Sequence, residues 1–206
     1  MNLFSIAYLP PVEYLQLYLQ SEQPYIEKCE NYVRQTYRNR CLIASANGVL
    51  PLIVPVKKNH LHNCPITQIE IDYSQAWQIK HWRAFEAAYN ISPFFLYYKD
   101  FFEPFYFQKN IKTLWEFNLQ LFDLILKLFN IPVKYSFTDV YISQSTDFTT
   151  DYRQSIHPKS GDKTGQKEHF FPIYSQVFAE KNGFFANLSC IDLLFNTGNL
   201  AKEKLC

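Results

Sequence analysis

The first 26 residues constrain the fold more than any other part of the chain. Residues 3–8 are apolar enough to form a short buried strand, and Pro10-Pro11 stops it. Proline suits the first turn of a helix, so a helix opens at Val12, with Val12, Leu15, Leu19, Tyr14 and Tyr18 on its apolar side. Pro24-Tyr25-Ile26 starts a second strand. Two strands separated by a helix-sized connection pair in parallel, because an antiparallel pair would close through a tight turn. The chain therefore opens as a β-α-β unit.

The next elements are antiparallel in character. Cys41 to Ala44 and Val49 to Val54 flank Asn47-Gly48, a dipeptide that accepts the positive φ angles of a tight hairpin. Pro51 and Pro55 lack amide donors, which puts the second of these strands at an edge. Residues 66–71 are rich in β-branched side chains and read as a further strand.

Beyond Asp72 the hydrophobic period changes to that of a helix. Trp77, His81, Phe85 and Ala88 recur at helical spacing within 74–89, and Ser92-Pro93 starts a second aromatic helix over 93–107 that Pro104 can kink. Residues 109–130 carry the clearest stripe, Ile111, Leu114, Leu121, Ile125 and Leu128, with Asn118 in its middle. Residues 133–140 read as a strand. Residues 183–196 read as a last helix, capped by Asn187 or Ser189 and stopped by Gly198. The expected fold class is α/β: one mixed sheet opened by the β-α-β unit, with a cluster of central helices. An α+β arrangement is the alternative.

The polar stretch 143–169 is too long for a tight connection and reads as a mobile loop or lid. Its basic residues Arg153, Lys159, Lys163 and Lys167 either meet an anion or are simply solvated. No repeat or linker divides the chain, so 1–206 is expected to be a single domain.

Composition narrows the function classes. A formal net charge of +1 supplies no field for phosphate backbones or anionic lipid, so neither nucleic acid nor a membrane is an expected partner. The N-terminal run lacks a basic flank and meets two prolines, unlike a signal peptide or a span. Five cysteines without paired spacing suit reduced thiols in a cytoplasm. Fifteen tyrosines offer rings with polar tips that can line a pocket as well as fill a core.

The ordered pieces Tyr37-Arg38-Asn39-Arg40, Ala46-Asn47-Gly48, Ile53-Val54-Pro55-Val56, His81-Trp82, Ser92-Pro93-Phe94-Phe95 and Asn187-Leu188-Ser189-Cys190-Ile191-Asp192-Leu193-Leu194 resemble the WbqC-like family along nearly the whole chain. Two departures stand out. Members open with a Gln before a Tyr-x-Pro-Trp element, where this chain has Ala7-Tyr8-Leu9-Pro10-Pro11. Many place paired aspartates and a glutamine ahead of the Arg-Asn-Arg, where Lys28, Cys29 and Asn31 stand here. The resemblance implies a bacterial protein of surface-polysaccharide or amino-sugar biosynthesis, attaching an acyl or aminoacyl group to an activated sugar.

Several side chains can serve such chemistry. Arg38 and Arg40, on one face of an extended segment, can grip one anion, with Tyr37 and Asn39 beside them; surface salt bridges are the equal alternative. His81 is either a satisfied buried imidazole or the base that acyl transfer needs, close to Trp82. Asp192 orients a base or an arginine, or else stabilises its helix start. Asn118 bonds backbone or ligand, and Tyr8 is a further candidate for the pocket. His60-Leu61-His62-Asn63-Cys64 alternates three metal-binding types but has no fourth ligand, and no metal or cofactor is expected. Cys41 and Cys190 read as core residues. The expected ligand is a nucleotide-linked sugar or an acyl donor. The competing class is a noncatalytic sugar-binding or assembly protein, in which Arg38 and Arg40 matter and His81 does not.

Overall fold

The computed structural model describes residues 1–57, 63–143, 150–159 and 171–206. Strand β1 (Asn2–Phe4), helix α1 (Val12–Gln20) and strand β2 (Pro24–Ile26) form the opening unit. The two strands pair in parallel with Asn2 opposite Pro24 and Phe4 opposite Ile26. β1 ends four residues earlier than the hydrophobic run suggests, because the backbone after Phe4 turns away to reach the helix. In that turn Leu9 takes a φ of +43°, and its carbonyl accepts the Ser189 hydroxyl at 2.8 Å.

Strands β3 (Arg40–Ser45) and β4 (Gly48–Ile53) form the hairpin, paired from Arg40 with Ile53 to Ser45 with Gly48. Its turn centres on Ala46-Asn47, one residue earlier than the Asn-Gly reading. Only Gly48 takes a positive φ, +107°. Residues 66–71 are not a strand. Ile66–Gln68 is a single 3-10 turn, and Glu70 and Ile71 make only isolated bridges to Thr113 and Val56.

Three long helices follow: α2 (Trp77–Tyr89), α3 (Phe95–Phe107), which contains Pro104, and α4 (Leu114–Leu128). α4 starts later than its periodicity suggests because Thr113 closes a capping box with Glu116, satisfying free amides of the first turn. Short strands β5 (Ser136–Phe137) and β6 (Thr150–Asp151) precede α5 (Ala179–Asn182), α6 (Cys190–Thr197) and α7 (Ala201–Leu205). Gly198 ends α6 with φ +61° and lies so close to Phe94 that an added Cβ would come within 2.6 Å of the ring.

The described strands form a four-stranded sheet in the order β5-β2-β1-β6, with every pair parallel, and a separate antiparallel β3-β4 hairpin. The protein is thus a mixed α/β fold. Rings hold the helices to it. Phe122 of α4 is 1% exposed and meets Tyr14 at 5.6 Å and Tyr18 at 5.4 Å on α1, both edge-on. Phe117 packs against Tyr8, Trp77 and Tyr106, and so ties α4 to α2, α3 and the first connection.

No helix among the described residues is long and apolar enough to cross a membrane. His60 and His62, and most of the expected loop, residues 144–149 and 160–169, lie outside the described residues.

Candidate functional site

In a parallel sheet the chain leaves every strand at the same end, and ligands bind there, where neighbouring connections diverge in opposite directions. From β1 the chain passes to β2 and β5 on one side, and later to β6 on the other. The divergence therefore falls between β1 and β6. A cleft opens there, lined by Ser5, Ile6 and Ala7 after β1, Tyr152, Arg153 and Ile156 after β6, Tyr14 of α1, and Tyr37 and Arg38. The space left for a water-sized molecule is about 10 Å³, room for one water.

Two buried arginines line this cleft, and each is held by carboxylates. Arg38 is 2% exposed, donates from Nε to Glu30 Oε1 at 2.8 Å and from Nη2 to Glu30 Oε2 at 2.5 Å, and reaches Ser5 Oγ at 2.6 Å. The Ser5 hydroxyl donates in turn to Glu30 Oε2 at 2.9 Å. Arg153 donates from Nε and Nη2 to Asp151, from Nη1 to Glu27 at 3.2 Å, and from Nη2 to the Ile142 carbonyl at 2.8 Å. Glu27 follows β2 directly, is fully buried, and also accepts the Thr138 hydroxyl and the amides of Cys29 and Ile142. The Asp151 carboxyl is lowered below its ordinary value because its hydrogen bonds to Arg153 outweigh its burial. Such paired geometry is what a charge needs when it leaves water.

The structure brings Tyr37 and Arg38 to this cleft and sends the other expected site residues elsewhere. Arg38 lies in a turn before β3 rather than in the strand, and its Nε and Nη2 are engaged by Glu30 and Ser5. Arg40, at the start of β3, is partly exposed with its Nε buried and unpartnered. Asn39 donates to the Val54 carbonyl at 3.0 Å, and Asn118 donates to the Arg38 carbonyl at 2.7 Å, supporting the turn from beneath.

His81 is 4% exposed in the aromatic core. Its Nδ1 lies 2.9 Å from the Tyr8 hydroxyl, which in turn lies 2.7 Å from the Tyr106 hydroxyl. Burial lowers the imidazole to about 4. It is a neutral histidine of the core. Tyr8 belongs to the same buried chain, its phenol pushed up by burial. Trp82 bonds Glu86 at 3.1 Å and packs against α3.

Asp192, fully buried, accepts the Tyr89 hydroxyl at 2.9 Å, the Tyr174 hydroxyl at 2.7 Å and the Gln176 amide at 3.1 Å. Burial raises its carboxyl. It knots α6 to α2 and to the segment before α5, with no part in the cleft. Cys41 and Cys190 are fully buried thiols raised by the same effect.

Sequence reasoning missed Ser5, Glu27, Glu30, Asp151 and Tyr152. The usable signal was position: Ser5, Glu27, Thr138 and Tyr152 each follow the last residue of a parallel strand. Ser5 was hidden inside the apolar run 3–8, and β5 and β6 are two residues each, too short to show a period.

The chain is 24% identical over 220 residues to the uncharacterized protein Rv1507c of Mycobacterium tuberculosis, an alignment covering 96% of this chain and 94% of that one. No solved structure matches it. A model of the WbqC-like protein family matches residues 7–204, and the chain belongs to that family.

Proposed function

We propose that the protein is a single-domain cytoplasmic enzyme of bacterial surface-polysaccharide or amino-sugar biosynthesis. It takes a nucleotide-linked sugar into the cleft between β1 and β6 and transfers an acyl or aminoacyl group to it. The observation that carries this reading is the convergence of three phenols, a serine hydroxyl and two arginines at the divergence point of a parallel sheet. Phenols and hydroxyls bond sugar hydroxyls, and flat rings cover sugar faces. Seating a sugar needs more than the present space.

A noncatalytic sugar-binding role is the second reading, and one observation favours it. The carboxylate beside the Ser5 hydroxyl belongs to Glu30, and both of its oxygens already accept hydrogen bonds from Arg38.

Thermal-shift titration with nucleotide-linked sugars and acyl donors tests both. The enzyme reading expects stabilisation by a nucleotide-linked amino sugar and product formation that falls at least about tenfold in Ser5→Ala while His81→Gln leaves it within about twofold. Binding without product favours the noncatalytic role. Absence of any stabilisation sinks both.

A further inference from the structure

A second groove, of about 430 Å³, lies apart from the cleft and shares no lining residue with it. Three segments build it side by side. The middle one, 70–72, is hydrogen-bonded on one flank to the chain after β4 and on the other to the chain before α4. The Lys57 amide donates to the Glu70 carbonyl at 3.0 Å, and the Ile71 amide donates to the Lys112 carbonyl at 3.0 Å. This pairing stands the Glu70 carboxylate between two lysines: its Oε2 lies 2.6 Å from Lys57 Nζ and its Oε1 3.0 Å from Lys112 Nζ. The Tyr73 hydroxyl donates to the Ile111 carbonyl at 2.7 Å, which fixes that ring in the wall together with Ile71 and Ile111.

The charge balance is opposite to that of the cleft, where three carboxylates, Glu27, Glu30 and Asp151, hold two arginines. The groove is lined by Lys57, Lys109 and Lys112 against Glu70 and Asp72. Glu70 serves two of the ammonium groups at once, and Lys109 makes no ion pair among the described residues. Asp72 Oδ1 accepts the Ser74 amide at 2.9 Å. Lys112 immediately precedes Thr113, the cap of α4, and so stands at the positive end of a 15-residue helix. Cations gathered there repel one another and that helix end, and an anion with more than one charge relieves both.

We propose that this groove is a second ligand site, for a small molecule that carries a phosphate ester. Lys57, Lys109 and Lys112 hold the phosphate oxygens, and the organic part lies against Ile71, Tyr73 and Ile111. The groove's volume falls in the range of roughly 300–1,000 Å³ usual for small-molecule sites. Charge selects the phosphate: a monoester carries about −1.5 to −2 at neutral pH and draws on all three lysines, where a carboxylate brings a single charge. Glu70 is the counter-ion with which the phosphate competes for Lys57 and Lys112. The site stands independently of the reaction proposed for the cleft.

The test is calorimetric titration of the full chain with phenyl phosphate, inorganic phosphate and phenol, at low and at raised salt. Phenyl phosphate is expected to bind more tightly than inorganic phosphate, because its ring meets the apolar wall, and far more tightly than phenol. Its affinity should weaken with salt, fall about fivefold in Lys109→Gln and in Lys112→Gln, rise severalfold in Glu70→Gln, and stay unchanged in Ser5→Ala, which alters only the cleft. Lys109 and Lys112 are exposed, so their substitution probes charge without endangering the fold. No binding of phenyl phosphate at millimolar concentration overturns the site, as does equal affinity in the wild type and both lysine variants. Phenol binding as tightly as its phosphate overturns it too. A fall in Glu70→Gln to match the lysine variants would mean that the shape of the groove matters and its charge does not, and also sinks the proposal.

Discussion

Burial of His81 has a consequence for acid stability. Its imidazole is lowered from 6.5 to about 4, so between those values the unfolded chain binds a proton that the native state does not. Its contribution to stability is therefore present above pH 6.5 and is lost as pH falls through about 4. By linkage it amounts to about 3 kcal/mol. Urea midpoints measured across this window should fall with acidification in the wild type and follow a flatter course in His81→Gln; parallel curves would refute this account. The buried arginines give a second expectation. Arg153→Met leaves Glu27 and Asp151 facing each other without their cation, and should destabilise the fold by about 3–5 kcal/mol in equilibrium unfolding. A loss below about 1 kcal/mol would mean that water already solvates that wall of the cleft.

Caps decide where the elements begin. Thr113 accepts the Glu116 amide at 3.2 Å, and Thr113→Ala should cost about 1 kcal/mol in urea unfolding. α1 follows Pro11, which has no capping side chain, and takes its cap from across the molecule: Asn187 Oδ1 accepts the Glu13 amide at 3.0 Å, and Asn187 Nδ2 donates to Glu13 Oε2 at 3.0 Å. Asn187→Ala should therefore destabilise by about 1 kcal/mol and speed amide exchange in α1, although α1 is 174 positions away in sequence. Unchanged exchange in α1 would show that this cap is dispensable. Asn187 was legible as a cap but was assigned to the wrong helix. Thr113 was legible in the Thr-x-x-Glu spacing, yet the apolar stripe drew the helix start back to 109. Residues 66–71 failed as a strand because β-branched side chains suit any half-buried surface, and among the described residues they find only isolated bridges to Val56 and Thr113 rather than a neighbouring strand.

For the whole molecule, the N-terminal strand lies inside the sheet rather than at its edge. β1 is only three residues long, but it pairs with both β2 and β6, and Leu3 and Phe4 are fully buried. Deleting residues 1–5 should abolish cooperative unfolding in calorimetry, a severe effect for so short a truncation; retention of a sharp transition would show that the helices and hairpin fold without the sheet.

What the sequence determined by itself is local: the β-α-β opening, the hairpin, the three long helices, the Gly198 stop and the family. Each is written in a period, a proline or a glycine that acts within a few residues. Only the tertiary structure decided the site. Arg38 stood open between an anion grip and an ion pair until Glu30 met it, and His81 between a base and a satisfied buried imidazole until the core closed around it and Tyr8 reached its Nδ1. Ser5, Glu27 and Arg153 meet only because three strands leave the sheet at one end. Whether a charged side chain is available to a ligand depends on which partner reaches it first, and those partners come from parts of the chain that no local pattern connects.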